Sequence, residues 1–329
     1  MAESFLVTGS LGCIGSWVVR RLVHEGVPVV VYDAGDDVHR LNLLLTPEEL
    51  VRVTRVVGDI TDLGQLEKAL DDNGVTNVIH LAALQIPFCR ANPPLGASVN
   101  VVGTVNILEA VKRRLERMAP VVFAGSLATF DAADVDPATG RLPADAVPHP
   151  KTHYGVYKLA NEGNARVYWL EHQVPSVSLR PMTVYGPGRD QGMTSSPTKA
   201  LMAAVLGRGF DIPFGGATLY NYAEDVARSF ISASRASVIG SHVVNLPGLT
   251  VDMGDLVAAI ESVMPEAKGR ISFAGSALPF PEAIEDAPPS AEFELPVSPL
   301  DDCLRATIDI FKAALADGRL VPAQHGLPD

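Results

Sequence analysis

Residues 8–15 read TGSLGCIG, with glycines at 9, 12 and 15, and this stretch decides the fold. It follows the apolar run SFLV and leads into a segment where Ile14, Val18 and Leu22 recur at helical spacing before Gly26 stops it. Strand, glycine turn and helix in that order make a dinucleotide cradle. Gly9 permits the tight turn, Gly12 lets backbone approach a pyrophosphate, and Gly15 lets the helix pack close to the sheet. Leu11, Cys13 and Ile14 complete the cofactor-facing loop, Cys13 as buried filler. The helix N-terminus points free N–H groups at the phosphates. A second apolar run then ends in VVVYD, so Asp33 falls where a carboxylate accepts both ribose hydroxyls of the adenosine half. It would repel a 2′-phosphate, and no Arg or Lys follows until Arg40, which predicts NAD as the cofactor.

Working outward, SFLVTG, PVVVYD, TRVVGD, NVIHLAA, PVVFAGS and PSVSLRP read as six strands, each nearly continuous in apolar residues as a doubly covered parallel strand should be. Helical patterns cover 14–25, 94–117 and 153–173. The alternation predicts an α/β fold, a Rossmann-type doubly wound parallel sheet. After Arg180 the chain turns loop-rich, with YGPGRDQGMTSSP, RGFDIPFGGATLYNYAED and the acidic, proline-rich EDAPPSAEFELPVSP. Helices are expected there over about 197–207, 224–235, 252–263 and 300–316. The expected organisation is an NAD-binding domain over 1–180, with 220–247 returning to it, and a smaller irregular α/β substrate lobe over 181–329.

Composition narrows the partners. Of 329 residues, 47% are hydrophobic and 19% charged, which suits a folded enzyme. Twenty-six Lys+Arg against 38 Asp+Glu give a formal charge of −12, so nucleic acid and anionic membrane are disfavoured partners. No apolar run is read as a membrane span and no export signal stands before the first strand. Three scattered cysteines lack metal-ligand spacing, so no metal is expected, and they read as reduced thiols of a cytoplasmic protein.

A second stretch, YGVYK at 154–158, puts Tyr154 and Lys158 one helical turn apart on a shared face. FAGSLATF ends an upstream strand and sets Ser126 at the sheet edge. Together with TGSLGCIG, Asp33, GDI at 58–60, HLAA at 80–83, NVVGTVNILEA at 100–110 and RPMTVYGPG at 180–188, these residues resemble the extended short-chain dehydrogenase/reductases. The nearest group is the NAD-dependent epimerase/dehydratase enzymes, and the resemblance runs over about residues 3–262. It implies that Tyr154 is the general acid/base, that Lys158 holds the nicotinamide ribose and lowers the Tyr154 pKa, and that Ser126 polarises the reacting oxygen. It further implies that Asp59 and Ile60 bracket the adenine and that Leu81, Ala82 and Ala83 line the cofactor trough. Asn100 would support the active-site helix, and Pro181 to Val184 would flank the nicotinamide. The family also implies a homodimer through a four-helix bundle built from the helices near 95–117 and 153–172.

The chain departs from nucleotide-sugar epimerases in its substrate lobe. Thr183 stands where they carry an Asn and Thr218 where they carry an Arg, and no Arg or Lys occurs from Asp211 to Asp225. Without a diphosphate handle, net oxidation of a secondary hydroxyl on a small sugar, sugar acid or polyol is the simpler outcome. The rival is an epimerase or dehydratase that retains its NAD. A non-catalytic NAD sensor is disfavoured by the presence of Ser126, Tyr154 and Lys158. Gln85, Thr129, Thr183, Arg189, Ser195, Lys199 and Asn221 are the candidate substrate contacts. His80 reads as a satisfied core histidine, His153 as a neighbour pointing away from Tyr154, and Trp17 and Trp169 as packing or interface residues. KRRLER at 112–117 reads as a solvated helix end.

Overall fold

The computed structural model describes residues 2–285 and 292–327, so residues 286–291 of the acidic, proline-rich stretch lie outside the described residues. Strands β1 (Phe5–Thr8), β2 (Val29–Asp33), β3 (Thr54–Val57), β4 (Asn77–His80), β5 (Val121–Ala124) and β6 (Ser176–Arg180) fall in the six expected runs. They are followed by β7 (Thr183–Tyr185), β8 (Phe210–Ile212), β9 (Ala217–Tyr222), β10 (Ser241–Asn245), β11 (Leu249–Asp252) and β12 (Ile271–Phe273). Among the described residues, seven strands form the central sheet in the order β10-β6-β5-β4-β1-β2-β3. Every pair is parallel. This is the expected doubly wound sheet. Its order reverses beside β1, which pairs with β2 on one side and β4 on the other, and that crevice is where such sheets bind ligands.

The helices are α1 (Cys13–His24), α2 (His39–Leu44), α3 (Pro47–Leu50), α4 (Leu63–Asp72), α5 (Ile86–Ala91), α6 (Pro93–Ala97), α7 (Gly103–Lys112), α8 (His153–His172), α9 (Ser196–Val205), α10 (Ala223–Arg235), α11 (Met253–Val263) and α12 (Leu300–Ala316). α1 and α10 pack together on one face of the sheet, while α4, α7 and α8 pack side by side over the other. The chain returns to the main sheet at β10, whose Ser241 to Asn245 pair with Ser176 to Arg180. Smaller sheets, β11-β9-β7 and β12-β8, carry the region above the cleft.

Three expectations need correction here. The helix read over 94–117 runs continuously from Pro93 only as far as Lys112, with a π-helical turn over Ser98–Val102 between α6 and α7. The basic run beyond it is not merely solvated. Arg114 and Arg117 bind Asp71, and Arg113 and Arg114 bind Glu67, so the run ties α7 to the unforeseen α4. By length and composition the stretch Pro93–Lys112 could cross a membrane, contrary to expectation. Here it packs against α4 and α8 in the helical layer.

The helix that presents Tyr154 is held down by a buried ion pair. Arg180 at the end of β6 donates Nε to Glu162 Oε1 at 2.8 Å and Nη2 to Oε2 at 2.5 Å, and stacks its guanidinium 5.0 Å from the Phe130 ring. The side chains are 9% and 5% exposed, so removing one leaves the other charged and desolvated. Glu162→Ala is therefore expected to destabilise the fold by about 3–5 kcal/mol in urea denaturation at neutral pH. A loss within about 1 kcal/mol, the usual worth of a surface pair, would show that it is no anchor.

Candidate active site

A cleft of about 680 Å³ opens at the C-terminal edge of the sheet. Its floor is the glycine loop, made possible by close backbone approach. A Cβ on Gly9, whose φ is +63°, would lie 2.5 Å from the Ala82 backbone nitrogen, and one on Gly15 would lie 2.4 Å from the Gly9 carbonyl oxygen. At Gly12 no side chain caps α1, and its first turn holds no acidic residue, so its backbone N–H groups are left for an anion. Asp33 accepts the Leu11 N–H at 3.1 Å, which fixes the loop against the end of β2. Beyond it, Tyr32 donates its hydroxyl to the Asp59 carbonyl at 3.2 Å and walls one end of the cleft. The donor set and glycine cradle fit an adenine dinucleotide.

At the other end the carboxyl edge of β5 meets the first turn of α8. Thr152 caps that helix by accepting the Gly155 N–H at 3.0 Å. A Cβ on Gly155 would fall 2.3 Å from the Ala128 carbonyl oxygen, so only glycine lets the turn come this close. The approach brings Tyr154 within hydrogen-bond reach of the Ser126 hydroxyl, which itself accepts the Ala128 N–H at 3.1 Å. Lys158 is buried, donates to the Ala124 carbonyl at 2.7 Å and sits 5.5 Å from the Tyr154 ring centre.

The electrostatics differ from expectation. Burial raises the Tyr154 phenol above its ordinary value, opposed first by the Ser126 hydrogen bond and then by the Arg189 charge. Lys158 is not among those opposing influences, because its ammonium is turned to the Ala124 carbonyl beneath the ring rather than to the phenol oxygen. Burial pushes Lys158 itself down to about 8, against the nearby Glu162 carboxylate.

The structure gathers Gly9, Leu11, Gly12, Cys13, Ile14, Gly15, Asp33, Asp59, Ile60, Leu81, Ala82, Ala83, Gln85, Ser126, Tyr154, Lys158, Pro181, Thr183, Val184 and Arg189 around this one cleft. Asn100 stays outside the lining and braces it: its side chain both accepts from the Leu84 N–H at 2.7 Å and donates to the Leu84 carbonyl at 2.9 Å. Four expected substrate contacts are not in the lining. Thr129 is wholly buried and donates to the Ser126 carbonyl, and Ser195 is buried and donates to the Gly192 carbonyl. Lys199 turns toward the C-terminal segment at Gly326. Asn221 is likewise spent, accepting from the Met182 N–H and donating to the Pro247 carbonyl.

His80 is the satisfied core residue expected, between the Thr8 hydroxyl at 2.6 Å and the Thr104 hydroxyl at 3.0 Å, and burial pushes it down to about 3. His153 is exposed and stacks on Tyr157. Trp17 is core, its indole N–H donated to the Pro187 carbonyl at 2.8 Å. Sequence reasoning missed Tyr32, Arg40, Ile86, Phe88, Gln191, Met193 and Phe280, all of which line the cleft. Their only signal was proximity to the motifs.

One buried cluster borders the site. Asp190 accepts from Arg40, from His39 Nε2 at 3.0 Å and from His325 Nδ1 at 3.1 Å. Burial opposes its ionisation, but the hydrogen bonds from His325, His39 and Arg40 outweigh that and hold the carboxyl far below its usual range. His39, Asp190 and His325 are spaced as metal ligands could be, yet the Arg40 guanidinium already supplies the cation to that carboxylate.

A family profile described as NAD dependent epimerase/dehydratase family matches residues 5–246. The chain is 31% identical over 239 residues to a UDP-glucose 4-epimerase of Mycolicibacterium smegmatis, covering 69% of this chain and 72% of the relative. It is also 31% identical over 188 residues to UDP-glucuronate 4-epimerase 2 of Arabidopsis thaliana, covering 56% of this chain but 42% of the relative's length. Among solved structures, an L-threonine dehydrogenase from Cupriavidus necator superposes with a TM-score of 0.76 at 23% identity, covering 93% of this chain and 99% of that one. A UDP-glucose 4-epimerase with UDP-glucose from Thermotoga maritima gives 0.76 at 22%, covering 95% and 100%. Likenesses at that identity speak for the fold. With the glycine cradle, Asp33 and the matched span in one cleft, the chain is an NAD-dependent enzyme and belongs to the NAD-dependent epimerase/dehydratase family.

Proposed function

We propose that this enzyme oxidises a secondary hydroxyl of a small sugar, sugar acid or related polyol. The observation that supports it most is the meeting of Ser126, Tyr154 and Lys158 at the end of the cleft that begins at the glycine loop. Bound NAD supplies the hydride acceptor. Tyr154 takes the proton of the substrate hydroxyl at its phenol oxygen, and Ser126 donates to the reacting oxygen as it gains carbonyl character. Lys158 holds the nicotinamide ribose, its ammonium anchored on the Ala124 carbonyl 5.5 Å from the Tyr154 ring centre. The retained-NAD epimerase reading is second, and the names of the curated relatives favour it.

The absence of a diphosphate handle favours oxidation. Thr183 and Thr218, at the positions where epimerases carry Asn and Arg, are both buried and hydrogen-bonded to each other at 3.2 Å. Neither offers a cation to a diphosphate, which needs charged or N–H partners once out of water. We further infer a homodimer through α7 and α8. Val102 in the π turn that leads into α7, and Val156, Val167 and Leu170 on α8, expose apolar surface, and Gly163 on α8 has open space before it that a partner helix could enter.

Four outcomes follow. Tyr154→Phe should keep the fold and NAD binding while cutting turnover by ~10²-fold or more in an assay at 340 nm against free sugars, aldonates and uronates. In the same assay, kcat/KM should climb with pH toward the alkaline side, and Ser126→Ala should move that rise to higher pH, because the lost hydrogen bond was lowering the phenol. A Tyr154→Phe variant with near-normal turnover would remove Tyr154 from the mechanism. UDP and UDP-sugars at millimolar concentration should neither raise Tm nor inhibit; protection at micromolar UDP would put the epimerase reading first. Light scattering should report twice the chain mass, and a monomer at every concentration would refute the dimer.

A further inference from the structure

Of the cleft's cations that the reaction above does not use, Arg189 is the one the described residues leave unsatisfied. Three basic side chains line it: Arg40, Lys158 and Arg189. Arg40 is saturated, giving Nη1 to the Leu11 carbonyl at 2.9 Å and the rest of its fork to Asp190 and the Gly188 carbonyl. Lys158 is turned to the Ala124 carbonyl. Arg189 donates Nη2 to the Thr194 hydroxyl at 3.0 Å, while among the described residues its buried Nε has no partner. A guanidinium with an unmatched buried N–H is costly to keep unless an anion completes it.

We propose that Arg189 is the oxyanion-binding residue of the cleft, aimed there by the buried Asp190 cluster. The proposal rests on the reading of this cleft as a hydride-transfer site. Its position supports it: the Arg189 charge acts on both the Cys13 thiol in the glycine loop and the Tyr154 phenol, so it lies between the cofactor and substrate ends. A Cβ built on Gly192 would fall 2.8 Å from Gln85 Oε1 and 3.2 Å from Arg189 Nη2, so the guanidinium and the Gln85 amide converge across that turn. The aim is set next door. Asp190 is 5% exposed and gripped by Arg40 of α2's first turn, by His39 and by His325 of the C-terminal segment. Arg40 also holds the glycine loop, so a single cluster fixes the Arg189 loop relative to the phosphate cradle.

The oxyanion could be the dinucleotide pyrophosphate, on the Cys13 side, or a carboxylate of the substrate, on the Tyr154 side. Both are planar or forked acceptors that suit a guanidinium. The test uses the full chain, with Arg189→Gln and Arg189→Lys beside wild type. NAD affinity is read by calorimetry, and malonate, as a small carboxylate probe, is read by its Tm shift on NAD-saturated protein. A pyrophosphate ligand predicts NAD affinity about tenfold or more weaker in Arg189→Gln, partly restored by Lys. A carboxylate ligand predicts unchanged NAD affinity and a malonate shift that vanishes in Arg189→Gln. Asp190→Asn should reproduce whichever loss is seen while keeping Arg189 itself; should it fail to fold, Arg189→Gln decides alone. An Arg189→Gln protein equal to wild type in both binding assays overturns the proposal. Turnover is read in the same samples, so failure of the oxidoreductase reading shows separately, as wild type that binds NAD and oxidises nothing.

Discussion

Everything in the cleft depends on how closely the backbone of α1 approaches the end of β1. At Gly15 an added Cβ would stand 2.4 Å from the Gly9 carbonyl oxygen, and at Gly9 it would stand 2.5 Å from the Ala82 nitrogen across on β4's extension. Real Cβ atoms do not approach so closely, so two absent side chains set the distance between the helix N-terminus and the sheet edge. Because β1 lies where strand order reverses, that contact also opens the crevice. A larger residue would push α1 outward, and with it the free N–H groups that face the phosphates.

The catalytic end is governed by a second close approach, and the two ends are braced through different layers. α8 is pressed onto the loop after β5 at Gly155 and clamped to β6 through Glu162 and Arg180. The π turn at Ser98–Val102 matters to the same helix. It leaves the Asn100 carbonyl to accept from the Asn161 amide at 2.8 Å and from the Thr104 hydroxyl at 2.8 Å, while the Asn100 side chain holds Leu84. One irregular turn therefore joins α8 to the cleft wall. That is a stronger reason for Asn100 than contact with any ligand.

The sheet was legible because a parallel strand covered on both faces must be apolar nearly throughout, a mark that five of the runs bear out, while the edge strand β3 is largely exposed. The glycine loop, Asp33, Ser126, Tyr154 and Lys158 were legible because each needs a fixed spacing from a strand end. α4 went unread although Asp62 caps it by accepting the Gln65 N–H and Leu66, Ala69 and Leu70 form its buried stripe. Its shortness and flanking acids masked the period. That Thr129, Ser195 and Lys199 lie outside the cleft lining could not be read for another reason. A polar residue on a loop near a site has the same sequence appearance whether it faces ligand or, as Thr129 and Ser195 do, satisfies a buried carbonyl. Gly155 was overlooked because its role is set by Ala128, a residue on a different element.

Charge is distributed unevenly along the cleft, and that distribution constrains what can lie in it. Asp33, Asp37 and Asp59 line the end beside β2 and β3, where a ligand must offer donors such as ribose hydroxyls. The opposite end holds Ser126, Tyr154, Lys158 and Arg189 with Gln85, Gln191 and Thr194, among apolar Met182, Met193 and Phe280, so it offers donors to an oxygen acceptor. The field of a formal charge of −12 disfavours anions at long range. An anionic ligand is therefore admitted only where fixed local donors outweigh that field. The N-terminus of α1 is one such place, and the donor groups of the catalytic end are the other. A dinucleotide laid from one end to the other meets donors, phosphate cradle and acid/base in the order of its own chemistry, which leaves the room beyond Tyr154 for a small substrate.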